Sequence, residues 1–318
     1  MRDNNPNYLL PSGAYDTHTH IFDRQLGPYD PARAYTPDEA SLEDLRAFSA
    51  RISSTGLPAN LVLVQPSPYG TDNHVLLTTL CQLHEDGFRN ARAIAVFDPN
   101  TISDHELNRM HEFGVRGLRL NLQASGGQVD NAALIDGLKT AADRIKTMPG
   151  WKVQIYCPAE TWDPIYDTVL SLPVELIADH FGGLKGSSKL SGIKVNERDD
   201  ETALEQPGFK SLLKLAEQSR VYIKLSGFYR ASALEETGYD DLAPIVRALV
   251  GRVSDRLLWA SDWPHTGEGK TRKPENVLNA IEPFRTVDNL LILKNLRQWV
   301  GDDSWHKLMV SNPRALYE

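Results

Sequence analysis

Cysteine is almost missing: Cys81 and Cys157 are the only two in 318 residues. Two distant cysteines cannot staple a disulfide framework, and their spacing is not that of a zinc motif, so a reducing compartment is expected. A basic excess is lacking as well. Lys and Arg number 34 against 42 Asp and Glu, a net charge of −8 at pH 7. That balance argues against non-specific attraction to nucleic acid or to an anionic membrane surface, both of which need surplus cations. No window approaches the ~18 uninterrupted apolar residues that a membrane-crossing helix requires. The polar start Met1–Pro6 and the short Tyr8-Leu9-Leu10 do not make a signal-peptide core. The expectation is a cytoplasmic protein with no nucleic-acid or membrane partner. Disorder is excluded too, because 41% of the residues are hydrophobic and can build a core.

What the chain does have is a repeated alternation. Short β-rich apolar runs fall at residues 14–22, 60–65, 92–98, 115–122, 152–157, 174–180, 221–226 and 257–262. Leu61-Val62-Leu63-Val64 and Ala93-Ile94-Ala95-Val96-Phe97 are continuously apolar, as parallel strands buried on both faces must be. Helical periods lie between the runs, with start signals at Asp72, Ser103 and Asn131. Eight strand–helix units in this length predict a single α/β (β/α)8 barrel, a TIM barrel, over about 14–317. An open doubly wound sheet is the alternative, but no Gly-rich dinucleotide fingerprint follows the first run. Three stretches exceed a minimal barrel: 25–36, a polar insertion at 186–207, and 266–274. Loops after barrel strands build active sites, so the first is expected over the pocket mouth.

The ionisable residues gather at the ends of these runs. Asp16, His18 and His20 share one parity and are expected on one face. His180 closes the sixth run and Asp262 the eighth. Three imidazoles and a carboxylate at one rim can polarise a carbonyl, directly or through one metal ion, while the carboxylate acts as base on water. Arg119 and Asn121 should face inward from the fourth strand, Gln154 and Tyr156 from the fifth, Lys224 and Ser226 from the seventh. A buried arginine demands an anion. For Arg119 this is a neighbouring acid or, preferably, a substrate carboxylate, which suits planar bidentate binding. Lys224 lies deeper and suits a salt bridge. Ser67, Tyr69 and Arg230, in loops after the second and seventh strands, join Tyr156 as expected substrate contacts. His265 fits a supporting or lid contact. His74, His84, His105, His111 and His306 lie in helical stretches and are taken as surface or packing residues.

Asp16-Thr17-His18-Thr19-His20, Arg116-Gly117-Leu118-Arg119, Asp179-His180-Phe181-Gly182-Gly183, Lys224-Leu225-Ser226-Gly227 and Ser261-Asp262-Trp263-Pro264-His265 together resemble the amidohydrolase superfamily. Val64-Gln65-Pro66-Ser67 and Ser311-Asn312-Pro313-Arg314 point to its amidohydrolase 2 branch, which holds lactonases of pyrone dicarboxylates, sugar lactones and muconolactones. The resemblance implies a TIM barrel in which Asp262 activates water. His18, His20, His180 and Asp262 either act directly on the lactone carbonyl or hold one divalent ion, zinc in the first place. Arg119, Asn121, Gln154 and Tyr156 replace the bridging and histidine ligands of a binuclear centre, so none or one ion is expected. Gln123–Gly127 lacks the basic residues expected for a dicarboxylate substrate. The leading expectation is therefore a lactone-opening hydrolase acting on a small anionic or hydroxylated molecule. A zinc-dependent decarboxylase of aromatic or enol acids and a non-catalytic small-ligand binder are the alternatives. A homo-oligomer is compatible with all three.

Overall fold

In the computed structural model, which describes residues 6–121, 130–190, 200–267, 272, 277–278 and 280–318, each of the eight apolar runs contains a strand. They are Tyr15–Thr19 (β1), Asn60–Val64 (β2), Arg92–Ala95 (β3), Val115–Asn121 (β4), Lys152–Tyr156 (β5), Leu176–Ala178 (β6), Val221–Leu225 (β7) and Leu257–Trp259 (β8). All pair in parallel, in chain order. Alternation sorts the side chains of each strand into two sets. Leu61 and Leu63 of β2 join the large cluster between strands and helices. Val62 and Val64 join Tyr15, Ile94, Ile177, Leu258, Leu316 and Tyr317 in a second, smaller one. Among the described residues no helix is long and apolar enough to cross a membrane.

The helix starts follow local chemistry. Ser103 caps Asp104–Glu112 through a reciprocal capping box with Glu106. The cap of Asn131–Ile145 is Asp130, one residue before the expected start, because its carboxylate accepts from Ala132 N and Ala133 N. Before His74–Glu85, Asp72 Oδ1 accepts from His74 N at 2.9 Å. Of the three extra stretches, the first and last meet where the Arg272 guanidinium lies 3.7 Å from the centroid of the Tyr35 ring, and directly after Tyr35 in the chain Thr36–Pro37 pairs in parallel with Ile281–Glu282. Residues 191–199 of the polar insertion, and 122–129 after β4, lie outside the described residues.

Closure depends on the seam between the first and last strands. Thr19 bridges Trp263 beyond the end of β8. Around that bridge, Thr17 Oγ1 donates to Trp259 O (2.8 Å), Ser261 N to Asp16 Oδ1 (2.9 Å), Asp262 N to His18 O (3.1 Å) and His20 N to Trp263 O (3.0 Å). The seam corrects one expectation. The β1–β2 register slips by a residue between Asp16 and Thr19, a bulge that breaks strict alternation. Asp16 therefore sits opposite Leu61, and its carboxylate serves the seam instead of joining the two imidazoles.

Asp16 is fully buried, its Oδ2 has no hydrogen-bond partner among the described residues, and burial raises its pKa to about 6. The acceptor at Oδ1, not the charge, is what the seam uses. Asp16→Asn is expected to stay within about 1 kcal/mol of wild-type stability, whereas Asp16→Ala, which orphans the Ser261 N–H, costs roughly 1–3 kcal/mol. Urea unfolding midpoints of the two variants check this.

Candidate active site

The sequence places His180 and Asp262 as the last residues of strands, but β6 stops at Ala178 and β8 at Trp259. Both residues take left-handed backbone, His180 at φ +51° and Asp262 at φ +61°. Such a conformation costs a branched-off side chain of order 1–3 kcal/mol and is held only where the surroundings fix it. For His180 the next turn does so: a Cβ on Gly183 (φ +84°) would lie 2.3 Å from Cys157 O, so only glycine closes it. For Asp262 the seam bond to His18 O and the His265 N–H on its own carbonyl (2.9 Å) do so.

These turns bring three imidazoles to one point. His20 Nδ1 lies 2.7 Å from Val64 O, His18 Nδ1 3.1 Å from Asp179 Oδ1, and His180 Nδ1 3.0 Å from Ser226 Oγ. With Nδ1 engaged outward, each Nε2 turns inward. His18 Nε2 and His20 Nε2 stand 3.2 Å apart, and all three Nε2 atoms are 3.8 Å from Asp262 Oδ1. Burial keeps the rings neutral. It lowers His20 to about 3, with Arg119 adding to the effect, and His180 to about 4 despite the nearby Asp262. His18 lies well below its ordinary value for the same reason.

Asp262 divides its carboxylate. Oδ2 accepts from Tyr229 Oη and from Arg230 Nε, both at 2.8 Å. Oδ1, facing the imidazoles, has no hydrogen-bond partner among the described residues. Burial alone would raise the acid; Arg230, the permanent cation on Oδ2, outweighs it and holds Asp262 well below the usual carboxylate range. Arg230 was expected to orient substrate. Its guanidinium is instead committed to Asp262, Thr266 O (3.1 Å), Thr266 Oγ1 (2.7 Å) and Gly267 O (3.4 Å), because a buried arginine takes whatever acceptors enclose it.

The remaining expected residues divide. Arg119 is buried, donates from Nη1 to Gln65 O at 3.0 Å, and keeps Nε 3.7 Å from Asp179 without a hydrogen bond. Both of its expected anions thus remain relevant: an acid is near but does not satisfy it. Tyr156 sets its ring edge-on to His180, centroids 4.7 Å apart. Ser226 fixes His180, as its parity predicts. Lys224 is fully buried and bonds Thr17 O and Gln154 Oε1, each at 2.8 Å, with Asp179 at 3.4 Å, the deep salt bridge expected of it. Tyr69 turns away: its hydroxyl accepts Asp23 N at 2.9 Å and its ring packs on Tyr29, so it holds the loop after β1. Ser67 stands half-buried in the short turn after β2. His265 is buried with Nε2 3.2 Å from Asn289 Nδ2, a supporting contact. The helical histidines are exposed or half-buried. The Asn121 side chain lies outside the described residues.

Three residues were not anticipated. Tyr229 was visible only as the neighbour of Arg230. Tyr35, in the stretch expected over the mouth, is buried beside Thr266 and Arg272. Asp179 directly precedes His180, and strict alternation would have sent one of the pair outward; the early end of β6 lets both face the centre. Asp179 receives His18, Gln154 Nε2 (2.9 Å) and Lys224. Two overlapping groups could hold a cation: His18, His20 and Asp262, or His18, Asp179 and His180.

The sequence profile of the family described as amidohydrolase matches residues 15–318. The chain is 30% identical to 2-pyrone-4,6-dicarboxylate hydrolase of Comamonas testosteroni, covering 98% of this chain and 92% of that protein. It is 28% identical to 4-sulfomuconolactone hydrolase of Rhizobium radiobacter, covering 98% and 91%. A solved Agrobacterium tumefaciens structure shares the fold, with a TM-score of 0.73 at 22% identity and 98% coverage of both chains.

Depressed imidazole pKa values mean that the unfolded chain, titrating near ~6.5, binds protons that folded His20 and His180 refuse. Stability is then expected to fall as pH drops from about 6.5 towards 4. Histidine ring NMR should show His20 and His180 still uncharged at pH 5, and urea midpoints should be lower there than at pH 7. Titration of either ring near 6.5 would contradict the burial argument.

Proposed function

Because the chain belongs to the amidohydrolase family, we propose that it is a hydrolase that opens a small lactone or related cyclic ester carrying an anionic group. The observation that carries this reading is Asp262 Oδ1, ionised, buried and without a hydrogen-bond partner among the described residues, facing three imidazole Nε2 atoms at 3.8 Å. Two full-length relatives named as hydrolases of a pyrone dicarboxylate and of a sulfomuconolactone support the choice of a lactone.

In this reading Asp262 Oδ1 takes a proton from a water molecule as the water oxygen adds to the lactone carbonyl. The ring C–O bond then breaks, and the proton held on Asp262 passes to the departing oxygen. The second proton of the water stays on the new carboxyl group and is lost to solvent, so that a hydroxy acid leaves as its carboxylate. Tyr229 and Arg230 hold Oδ2, so only Oδ1 can turn to the water, and they keep the carboxylate ionised for that task. Arg119, with an unsatisfied Nε and a guanidinium beside the site, holds the substrate anion, helped by Tyr156 and Ser67.

The donor set also fits one divalent ion. His18, His20 and Asp262 form one buried candidate ligand group, His180 Nε2 adds a donor 3.8 Å from Asp262 Oδ1, and that oxygen has no hydrogen-bond partner among the described residues; nitrogen–oxygen sets of this kind suit zinc. His18, His20, His180 and Asp262 would hold the ion, which when bound polarises a carbonyl and acidifies water. β4 and β5 place Arg119 and Gln154 beside the site, not further ligands, so the reading is limited to one ion.

Asp262→Asn is expected to lower kcat by roughly 10²–10⁴-fold with the circular dichroism spectrum unchanged. In a panel of anionic lactones with ¹⁸O-water, the wild-type product should carry one labelled oxygen. Release of CO₂ without label would move the assignment to a lyase. Zinc titration of the chelator-treated chain should saturate at one ion; saturation at two would break the ligand assignment.

A further inference from the structure

His18 Nε2 and His20 Nε2 stand 3.2 Å apart; either one donates a proton to the other, or both are bare and the contact is relieved only by a donor or cation that both can share. His20 has no choice: Val64 O, 2.7 Å from its Nδ1, can only accept, so Nδ1 carries the proton and Nε2 is bare. His18 does have a choice. Its Nδ1 could accept from Lys224 Nζ, 3.4 Å away, leaving an Nε2–H that donates to His20. Or Nδ1 could donate to Asp179 Oδ1 at 3.1 Å, leaving a second bare Nε2 beside the first. The first arrangement seals the pair of rings to each other. The second presents two lone pairs, with Asp262 Oδ1, to whatever positive or proton-bearing group enters.

The bonds around Asp179 decide between them. Lys224 can only donate, and its shortest bonds go to Thr17 O and Gln154 Oε1, both at 2.8 Å. The bond to Gln154 Oε1 fixes that amide, so its NH₂ must face Asp179 Oδ2, at 2.9 Å. Asp179 is thus a fully buried acceptor with donors on both oxygens, and the shortest approach to Oδ1 is His18 Nδ1. We infer that Asp179 is a positioning residue: it holds the His18 proton on Nδ1 and leaves Nε2 bare towards His20, His180 and Asp262, with Lys224 and Gln154 fixing the acceptor. A carboxylate behind a histidine ordinarily sets its tautomer and ring orientation in this way. The functional weight of the inference rests on the proposed reading of His18 as a site residue; the tautomer itself does not.

The test is direct. Two-bond ¹H–¹⁵N correlation spectra of histidine-labelled protein at pH 7, with the His18 signals assigned by their loss in His18→Gln, distinguish the two neutral tautomers without any substrate. Wild type should show the proton of His18 on Nδ1; a proton on Nε2 overturns the assignment at once. In Asp179→Asn the carboxamide must turn its oxygen to the fixed NH₂ of Gln154 and its own NH₂ to His18. Nδ1 then becomes an acceptor, and the proton should move to Nε2. Persistence of the Nδ1–H form in a folded variant overturns the role of Asp179. If that variant does not fold, Asp179→Ala serves, because Lys224, a pure donor, is then the neighbour left to Nδ1 and the same reversal is expected. On an active lactone, kcat should fall about 10–100-fold with KM little changed. A reversed tautomer with unchanged kcat would also overturn the positioning role, whereas a correct tautomer in a chain that turns over no lactone would count against the hydrolase reading alone.

Discussion

One backbone hydrogen bond, from Asp262 N to His18 O across the closing seam, fixes the distance on which the site depends. His18 and His20 arrive on the first strand and Asp262 follows the last, so nothing in the sequential pairing of neighbours sets their separation. β8 is only three residues long, and its ladder cannot extend far enough to do it. Side chains and single backbone bonds take over: Asp16 and Thr17 from one side, Trp259, Ser261 and Trp263 from the other. The acids and imidazoles meet because the barrel is closed there and not merely adjacent.

Around the convergence point, charges are arranged in opposed pairs. Arg230 faces Asp262, and Lys224 and Arg119 face Asp179. Each permanent cation removes a carboxylate from the risk of protonation in a dry interior, where an unpaired ion costs several kcal/mol. Arg119 is the least satisfied of the three, being 3.7 Å from its acid.

Much of this was legible in the order of residues. Continuous apolar runs such as Leu61–Val64 announce strands buried on both faces, and eight of them with helical periods between announce the barrel. His18, His20, His180 and Asp262 were legible because strand ends at one rim are where a barrel gathers polar groups. What was not legible depended on departures from regular geometry. The register slip in β1 sends Asp16 to the seam. The left-handed backbone at His180 and Asp262 ends their strands early and admits Asp179, which strict alternation would have turned away. The partners of Arg230 and Tyr69 are set by loops distant in sequence, and no local pattern reports them.

The closing seam separates the contacts that a substitution can reach from those it cannot. Seven strand pairings are parallel ladders, two of them with a local register shift, and there a slip along the whole strand would flip whole faces and destroy the core. The eighth junction combines two backbone–backbone bonds, Asp262 N to His18 O and His20 N to Trp263 O, with two that use the side chains of Thr17 and Asp16. Substitution at Asp16 or Thr17 therefore reaches only half of the junction, while the backbone bonds beside His18, His20 and Asp262 remain. The junction thus works as a clamp whose backbone half is indifferent to side-chain identity and holds the first strand to the turn that carries the carboxylate.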